Sequence, residues 1–441
     1  MYSIKDTVLE SNKNLRINFD GGNLSSDGGL LLMKEFMHKI GFTRLLKQRF
    51  KTTDTAKSRR HNDGKNLLQV IYQFLSAYFE DDCADELTNE PVFTTILETD
   101  TLASQPTLSR FYNRMGEDTL VLFDDIGREL RRIAYTYEKP EMVLFDLDST
   151  MLETYGKQEG ESFNFHYRAR GYHPLMCYDG MTGDLLRSQM RKGSDYTSTG
   201  VCEFMQPLFD EYLNYYTDIA LFLRGDSGFA TPDLYKQCES NGTSYVIRLK
   251  SNNILMTLAA ELDAELTDMT KDNYTDYAVV YGEFHYQAGS WEYPRRVVCK
   301  IEKPAGQFVN MYTFIVTNMD SDPEQLIKFY CKRGRMENFI KEGKNGFDFA
   351  SVSSRMETVN ANRFQIHALT YNIFNWFRRL VLPEEMSRHM VDTIRLKLIR
   401  IAARIVRSSR YIIFKLCSSC PYKDMFYETL ENIRGLRPQL E

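Results

Sequence analysis

Three acidic residues in this chain stand where packing alone does not explain a carboxylate. Asp148 closes the apolar run Val143-Leu144-Phe145-Asp146-Leu147-Asp148, which continues into Ser149-Thr150. Asp226 follows the apolar segment Ile219 to Leu223 in Leu223-Arg224-Gly225-Asp226-Ser227-Gly228-Phe229, and Glu337 lies much further on, in a polar helical segment. A carboxylate at the end of a buried strand is costly unless a cation or a hydrogen-bond donor meets it. Acids from two strands and a helix offer the oxygen ligands that hard divalent cations take, and paired cations drive in-line displacement at phosphorus. Asp146 and Asp148 fall on the same strand face, so both can point at one site. Gly228 lets the backbone turn sharply or a ligand approach beside Asp226, whose plainer role is to cap the helix opened by Pro232.

The third acid belongs to the most specific pattern. In Tyr330-Cys331-Lys332-Arg333-Gly334-Arg335-Met336-Glu337 and onward to Lys344, the residues Tyr330, Arg333, Glu337 and Lys344 recur at offsets of 0, 3, 7 and 14. At about 100° per residue they fall within an arc of roughly 60°, one helix face, provided the helix survives Gly343. An Arg333–Glu337 ion pair on a surface helix accounts for two of the four and leaves Tyr330 and Lys344 unexplained. The Asp-x-Asp-Ser-Thr string also occurs in haloacid-dehalogenase-like phosphatases, but Ala230 stands where that family places its last acid. Cys417 and Cys420 form one CxxC with no second pair, which reads as ordinary thiols rather than a zinc or redox site.

The elements that must position these residues are legible from periodicity. The first third reads as helices, for example Asn66 to Phe79, and Ser104-Gln105-Pro106 opens another over Leu102 to Met115. From Glu141 the pattern becomes strands: Met142 to Leu147, the alternating Phe163 to Arg168, and Leu185 to Met190 after a turn at Thr182-Gly183. A helix from Thr199, a strand from Ile219, a helix from Pro232 and a strand Ser244 to Leu249 follow. Three antiparallel strands and then alternating helix and strand are the order of an RNase H-like core, an α/β class. Residues 251 to 316 interrupt it with further strands, and after Pro323 the chain reads as almost wholly helical to its end.

At 441 residues the chain exceeds one core, and with 43% hydrophobic residues it can pack several domains. No long uncharged apolar run or apolar leader is present, so neither a membrane span nor a secretory signal is expected. Eight scattered cysteines suit a reducing compartment. A net charge of −5 hides an asymmetry: residues 1 to 60 carry twelve Lys or Arg against six acids, and residues 355 to 415 carry twelve against four. Local basic patches of that kind can meet phosphates, or simply be solvated helix faces.

Tyr-x2-Arg-x3-Glu-x6-Lys at Tyr330, Arg333, Glu337 and Lys344 resembles the YREK pattern of DDE transposases in the insertion-sequence 4 superfamily. Asp148-Ser149-Thr150 and Asp226-Ser227-Gly228-Phe229 match that group's first two acidic motifs in order. Tyr167-Arg168-Ala169-Arg170-Gly171-Tyr172-His173-Pro174-Leu175 and the Ser104 to Phe111 string resemble its 1380 branch. The resemblance implies Asp148, Asp226 and Glu337 as catalytic metal ligands, with motif alignment favouring Asp148 over Asp146. It implies two Mg²⁺ ions per site, Mn²⁺ substituting, and no small-molecule cofactor. Tyr330, Arg333 and Lys344 then contact DNA phosphates, and Trp291 is a candidate to stack on an unpaired base.

The implied partners are double-stranded DNA, as inverted-repeat ends and target, and a second copy in a synaptic homodimer. The implied setting is the bacterial cytoplasm, at the nucleoid, with no membrane. Five regions follow. Residues 1–137 form a mostly helical end-binding region. An RNase H-like core spans 138–250 and 317–378, interrupted by a β-rich insertion at 251–316. A helical C-terminal region at 379–441 carries Arg395, Lys397, Arg400, Arg404, Arg407 and Arg410 for dimer or DNA contacts, over an amphipathic stripe of Ile394, Leu398, Ile401 and Ile405. The rival functions are an RNase H-fold nuclease or resolvase, and a domesticated, non-catalytic DNA-binding protein.

Overall fold

A computed structural model describes residues 6–53, 55–56, 58–271 and 275–439. Lys5 and Lys57 of the basic N-terminal set lie outside the described residues. The chain divides into two units, one of residues 139–345 and 349–368, the other of residues 1–138, 346–348 and 369–441.

The unit that carries the acids is built on β1 (Met142–Ser149), β2 (Leu175–Asp179), β3 (Leu185–Gln189), α1 (Val201–Tyr215), β4 (Ala220–Gly225), α2 (Pro232–Ser240) and β5 (Ser244–Leu249). After β5 come α3 (Asn253–Leu258), α4 (Ala260–Thr270), β6 (Ala278–Tyr286), β7 (Arg295–Lys303), β8 (Met311–Thr317), α5 (Pro323–Cys331) and α6 (Gly334–Phe347). All eight strands form one sheet in the order β6-β7-β8-β5-β4-β1-β2-β3. β2 runs antiparallel to β1 and β3 antiparallel to β2, whereas β4 and β5 run parallel to β1. That is the RNase H-like order expected from the sequence. The strands of 251–316 extend the same sheet antiparallel from β5, continuing its edge.

The central strands are buried on both faces, so they read as nearly continuous apolar runs. Alternation assigns the faces. Phe145 of β1 packs against Phe209 and Tyr212 of α1, with ring centroids 5.6 and 5.3 Å apart. The opposite face receives α5, whose Leu326, Ile327 and Tyr330 pack on Val246, Val298 and Ile315. Asp146 and Asp148, of the other parity, point to the α5 side.

One expected core strand is displaced. Phe163 to Arg168 is not the second strand of the sheet; that place belongs to Leu175–Asp179, buried along its whole length. Ser162–Asn164 pairs instead with Ala169–Tyr172, whose other edge carries Leu152–Glu153, in a small separate sheet. Asn164 ends its strand by accepting from the backbone N–H of His166 and Tyr167, an Asx turn that a period-two pattern conceals.

In the other unit, helices Leu30–Lys39, Phe42–Arg49, Asp63–Leu75, Gln105–Tyr112 and Glu117–Tyr137 bear out the helical reading of the first third, and Lys423–Gly435 adds a helix from the C-terminal region. The stretch after Pro323 is not helical to its end: Ala403–Arg407 and Ile412–Leu416 form a hairpin that pairs with Leu24–Ser25. Ile401, Ala403 and Ile405 satisfy period two as well as the helical stripe, and β-branched residues favour the strand. Two of the arginines expected to face DNA or a partner are otherwise engaged. Buried Arg395 donates to the carbonyls of Leu75 and Phe74, both at 2.9 Å, and Arg400 donates to Ser76 at 3.1 Å. They cap the C-terminal carbonyls of helix Asp63–Leu75. Gly29 is required there, since a Cβ would lie 1.7 Å from the carbonyl oxygen of Leu398. No helix among the described residues is long and apolar enough to cross a membrane.

Candidate active site

Strand register sets the acids in rows. Arg224 of β4 is level with Asp146 of β1 on one side and Val246 of β5 on the other. Two residues further along, on the same face, come Asp148, Asp226 and Arg248, because the backbone at Asp226 remains extended (φ −78°, ψ −177°). The lower row is sealed: Arg224 is 1% exposed, Asp146 is 0% exposed, and the Arg224 Nε donates to Asp146 Oδ1 at 2.7 Å while Nη2 donates to Oδ2. Arg224 Nη1 also donates to the Phe329 carbonyl at 2.7 Å, fastening α5 to the sheet. Both Asp146 oxygens are therefore occupied by a bidentate guanidinium, whereas Asp148 lines the open cleft.

The upper row opens into a cleft of about 600 Å³ lined by Asp148, Asp226, Tyr167, His173, Ser227, Gly228 and Lys250 among others. Asp148 receives the Ser149 backbone N–H at 2.9 Å and the Arg333 guanidinium at 3.0 Å. Burial pushes its carboxyl up to about 6 against the pull of Arg333, and the negative charge of Asp226 adds to the rise. Asp226 accepts the Gly228 N–H at 2.8 Å, capping a single turn over Ser227–Phe229 and not the Pro232 helix. Gly228 fits because a Cβ would lie 2.8 Å from the Thr197 side chain. The Tyr167 hydroxyl donates to the Ser149 carbonyl at 3.3 Å, and burial with both acid charges lifts its pKa to about 12.

The remaining expected residues are spread around this pair. The single-helix arc is not formed: α5 ends at Cys331 and α6 begins at Gly334, with one tight turn between them in which Met336 N–H bonds Arg333 O at 2.8 Å. The helix does survive Gly343; it breaks at Lys332-Arg333, where glycine at 334 lowers the cost of leaving the helix and Arg333 is drawn to Asp148 and to the Leu147 carbonyl at 3.2 Å. Tyr330 is buried in the α5 core, and Lys344 is half-buried with its Nζ donating to Met151 O at 2.8 Å. Glu337 lies exposed in the first turn of α6 and does not line the cleft. Among the described residues no three His, Cys, Asp or Glu side chains are gathered closely enough to hold a metal ion. Trp291 is 7% exposed, packed edge-on against Tyr235 and Tyr286 at 5.4 and 5.3 Å, so almost none of its ring is open to a base.

The sequence reading passed over Arg224, Arg248 and Lys250, and gave Tyr167 no role. A signal existed for Arg224: an arginine and an aspartate inside two apolar strands each require a partner, and each is the other's. The donor set at Asp148 and Asp226 suits a hard divalent cation. Two oxygen ligands share a cleft, and one of them is desolvated enough that a cation would favour its charged form.

An RNase H-like sheet with paired acids at the ends of neighbouring parallel strands defines the class. The family model of the transposase DDE domain, group 1, matches residues 7–438, and the chain belongs to that family. It is thus a DNA transposase, a metal-dependent polynucleotidyl transferase of a family that uses divalent ions, generally Mg²⁺. No curated protein matches the chain. Among solved structures it resembles piggyBac transposase in a synaptic complex with hairpin DNA, at 12% identity and a TM-score of 0.38, over 85% of this chain and 80% of that one. It also resembles Mos1 transposase in a paired-end complex with the left transposon end, at 11% identity and a TM-score of 0.18, over 52% of this chain and 72% of that one. Both scores are too low to add to the family assignment.

Proposed function

We propose that this chain is the cut-and-paste transposase of a bacterial insertion sequence, of the YREK group and its 1380 branch, acting in the cytoplasm on nucleoid DNA. The observation that supports this best is the pair Asp148 and Asp226, side by side in one cleft with a desolvated carboxylate between a guanidinium and a second acid. In this reading Asp148 and Asp226 would hold two Mg²⁺ ions, with Mn²⁺ able to replace them, and Glu337, which lies exposed at the start of α6 outside the cleft, would have to turn inward to complete the set. The ions would supply Lewis-acid stabilisation of the leaving oxygen and a lowered pKa for the attacking water or 3′-hydroxyl.

The protein's own residues position the strand. Arg333 fixes one Asp148 oxygen and leaves its buried Nε without a partner among the described residues, a donor suited to a phosphate near the scissile bond. In this reading Tyr330 and Lys344 would supply further phosphate contacts once freed from their present burial and the Met151 carbonyl. The N-terminal helices bind inverted-repeat ends, and two copies pair the ends in a synaptic complex before transfer to target DNA.

A labelled inverted-repeat end incubated with the protein, Mg²⁺ and a target plasmid tests this. End joined to plasmid is the expected product. Nicks without joining identify a nuclease or resolvase, and shifted but intact DNA identifies a binding protein; either result overturns the proposal.

A further inference from the structure

The row that carries the two acids has a third member. Continuing the β4–β5 register one residue past Gly225–Ile247 brings Arg248 of β5 level with Asp226 and onto its face, and Lys250, two residues on and just beyond the strand, lines the cleft with Asp148 and Asp226. Both side chains are exposed. Neither has an ion-pair partner among the described residues, in contrast to Arg224 on the neighbouring strand and Arg333 between α5 and α6, which are held by Asp146 and Asp148. The charges of Arg248 and Asp226 both act on the Tyr330 hydroxyl.

An unpaired guanidinium and an unpaired ammonium spaced two residues apart on an extended backbone stand about 7 Å apart along the strand, close to the spacing of successive phosphates on one nucleic-acid strand. The acids cannot attract a polyanion by themselves. Before cations bind, their charge repels the backbone they must approach. A neighbouring pair of free cations offsets that repulsion and fixes the direction in which the strand crosses the row.

We propose that Arg248 and Lys250 hold consecutive phosphates of the DNA strand being cut, so that the scissile phosphate falls over Asp148 and Asp226. The inference rests on the transposase reading above. It assigns the exposed backbone grip to β5, while Arg333 and Lys344, already bonded to protein acceptors at Asp148 and Met151, work deeper in the site.

The test uses the full chain and a short duplex of the element's own terminal DNA, plain or with single neutral methylphosphonates beside the scissile position. Binding is followed by fluorescence anisotropy in rising KCl, and cleavage by product gels in Mg²⁺. Arg248→Ala and Lys250→Ala are each expected to weaken binding about tenfold. Each should also lower the slope of log affinity against log salt by about 0.9, and raise KM more than they lower kcat. Arg248→Lys should keep the slope. A methylphosphonate at the contacted position should weaken wild type and cost the matching alanine variant nothing further. A wild-type slope in both alanine variants, or a methylphosphonate penalty that adds in full to theirs, overturns the inference while leaving the transposase reading intact. A wild-type protein that neither binds nor cuts the duplex overturns both.

Discussion

Two rows of the same sheet face, one register step apart, make opposite use of the same chemistry. In the lower row Asp146 and Arg224 are both buried and close on each other, and the guanidinium's remaining donor is spent on the Phe329 carbonyl. In the upper row Asp148 keeps only a partial hold on Arg333, faces Asp226 across a cleft, and titrates near 6 because burial is not fully compensated. A satisfied buried pair holds elements together, whereas an acid left short of partners has affinity to spare for a ligand. Position along the strand, not residue type, separates scaffold from chemistry here.

The largest expected effect lies in the upper row. Asp148→Asn and Asp226→Asn should each lower end cleavage by about a thousandfold or more, the equivalent of several kcal/mol of lost transition-state stabilisation. Glu337→Gln should do the same with unfolding free energy within about 0.5 kcal/mol of wild type, as befits an exposed side chain. Cleavage gels and urea unfolding on the same preparations check the two halves; full activity in any one variant removes that residue from the site.

In the lower row the loss should appear as stability. Arg224→Ala leaves Asp146 buried and unpaired and is expected to cost about 3–5 kcal/mol in urea unfolding. Replacing both partners with apolar residues, Asp146→Val with Arg224→Met, should recover most of that loss. A double variant as unstable as the single one would mean that the bond to Phe329, not the ion pair, is the essential contact.

Trp291→Ala sharpens the contrast away from the rows. A buried ring removed from between Tyr235 and Tyr286 should cost about 3–5 kcal/mol. Binding of end DNA by the folded fraction should be unchanged. A selective loss of DNA affinity at wild-type stability would return Trp291 to the DNA-contacting set.

The smallest effect is a pH slope. With its folded pKa raised from 3.8 to about 6, Asp148 binds a proton more tightly in the folded chain than in the unfolded one. In EDTA its contribution should therefore lower stability as pH climbs from 4 to 6 and level off above that. Subtracting the Asp148→Asn curve from wild type isolates the term; a difference that rises with pH over that window contradicts the assignment.

The sheet was legible because its strands are short apolar runs bounded by turn residues, and Asp148 and Asp226 were legible as acids ending such runs. What escaped notice depended on partners distant in sequence. Arg224 meets Asp146 from another strand, so its apolar setting signals that it needs a partner but not which acid supplies it. The break at Lys332-Arg333 was hidden because Gly334 alone need not end a helix, and the side chain that draws Arg333 away belongs to β1. The C-terminal hairpin was misread because Ile401 and Ile405 satisfy both periods, so neighbours rather than pattern decided between them.

The central claim is that Asp148 and Asp226 act as one cation-binding unit. Electron paramagnetic resonance of Mn²⁺ added to the protein bound to uncut terminal duplex measures this directly. The account predicts that wild type removes Mn²⁺ from solution and that Asp148→Asn and Asp226→Asn each lose most of that binding while still holding the DNA. Wild-type Mn²⁺ uptake in both variants would contradict it.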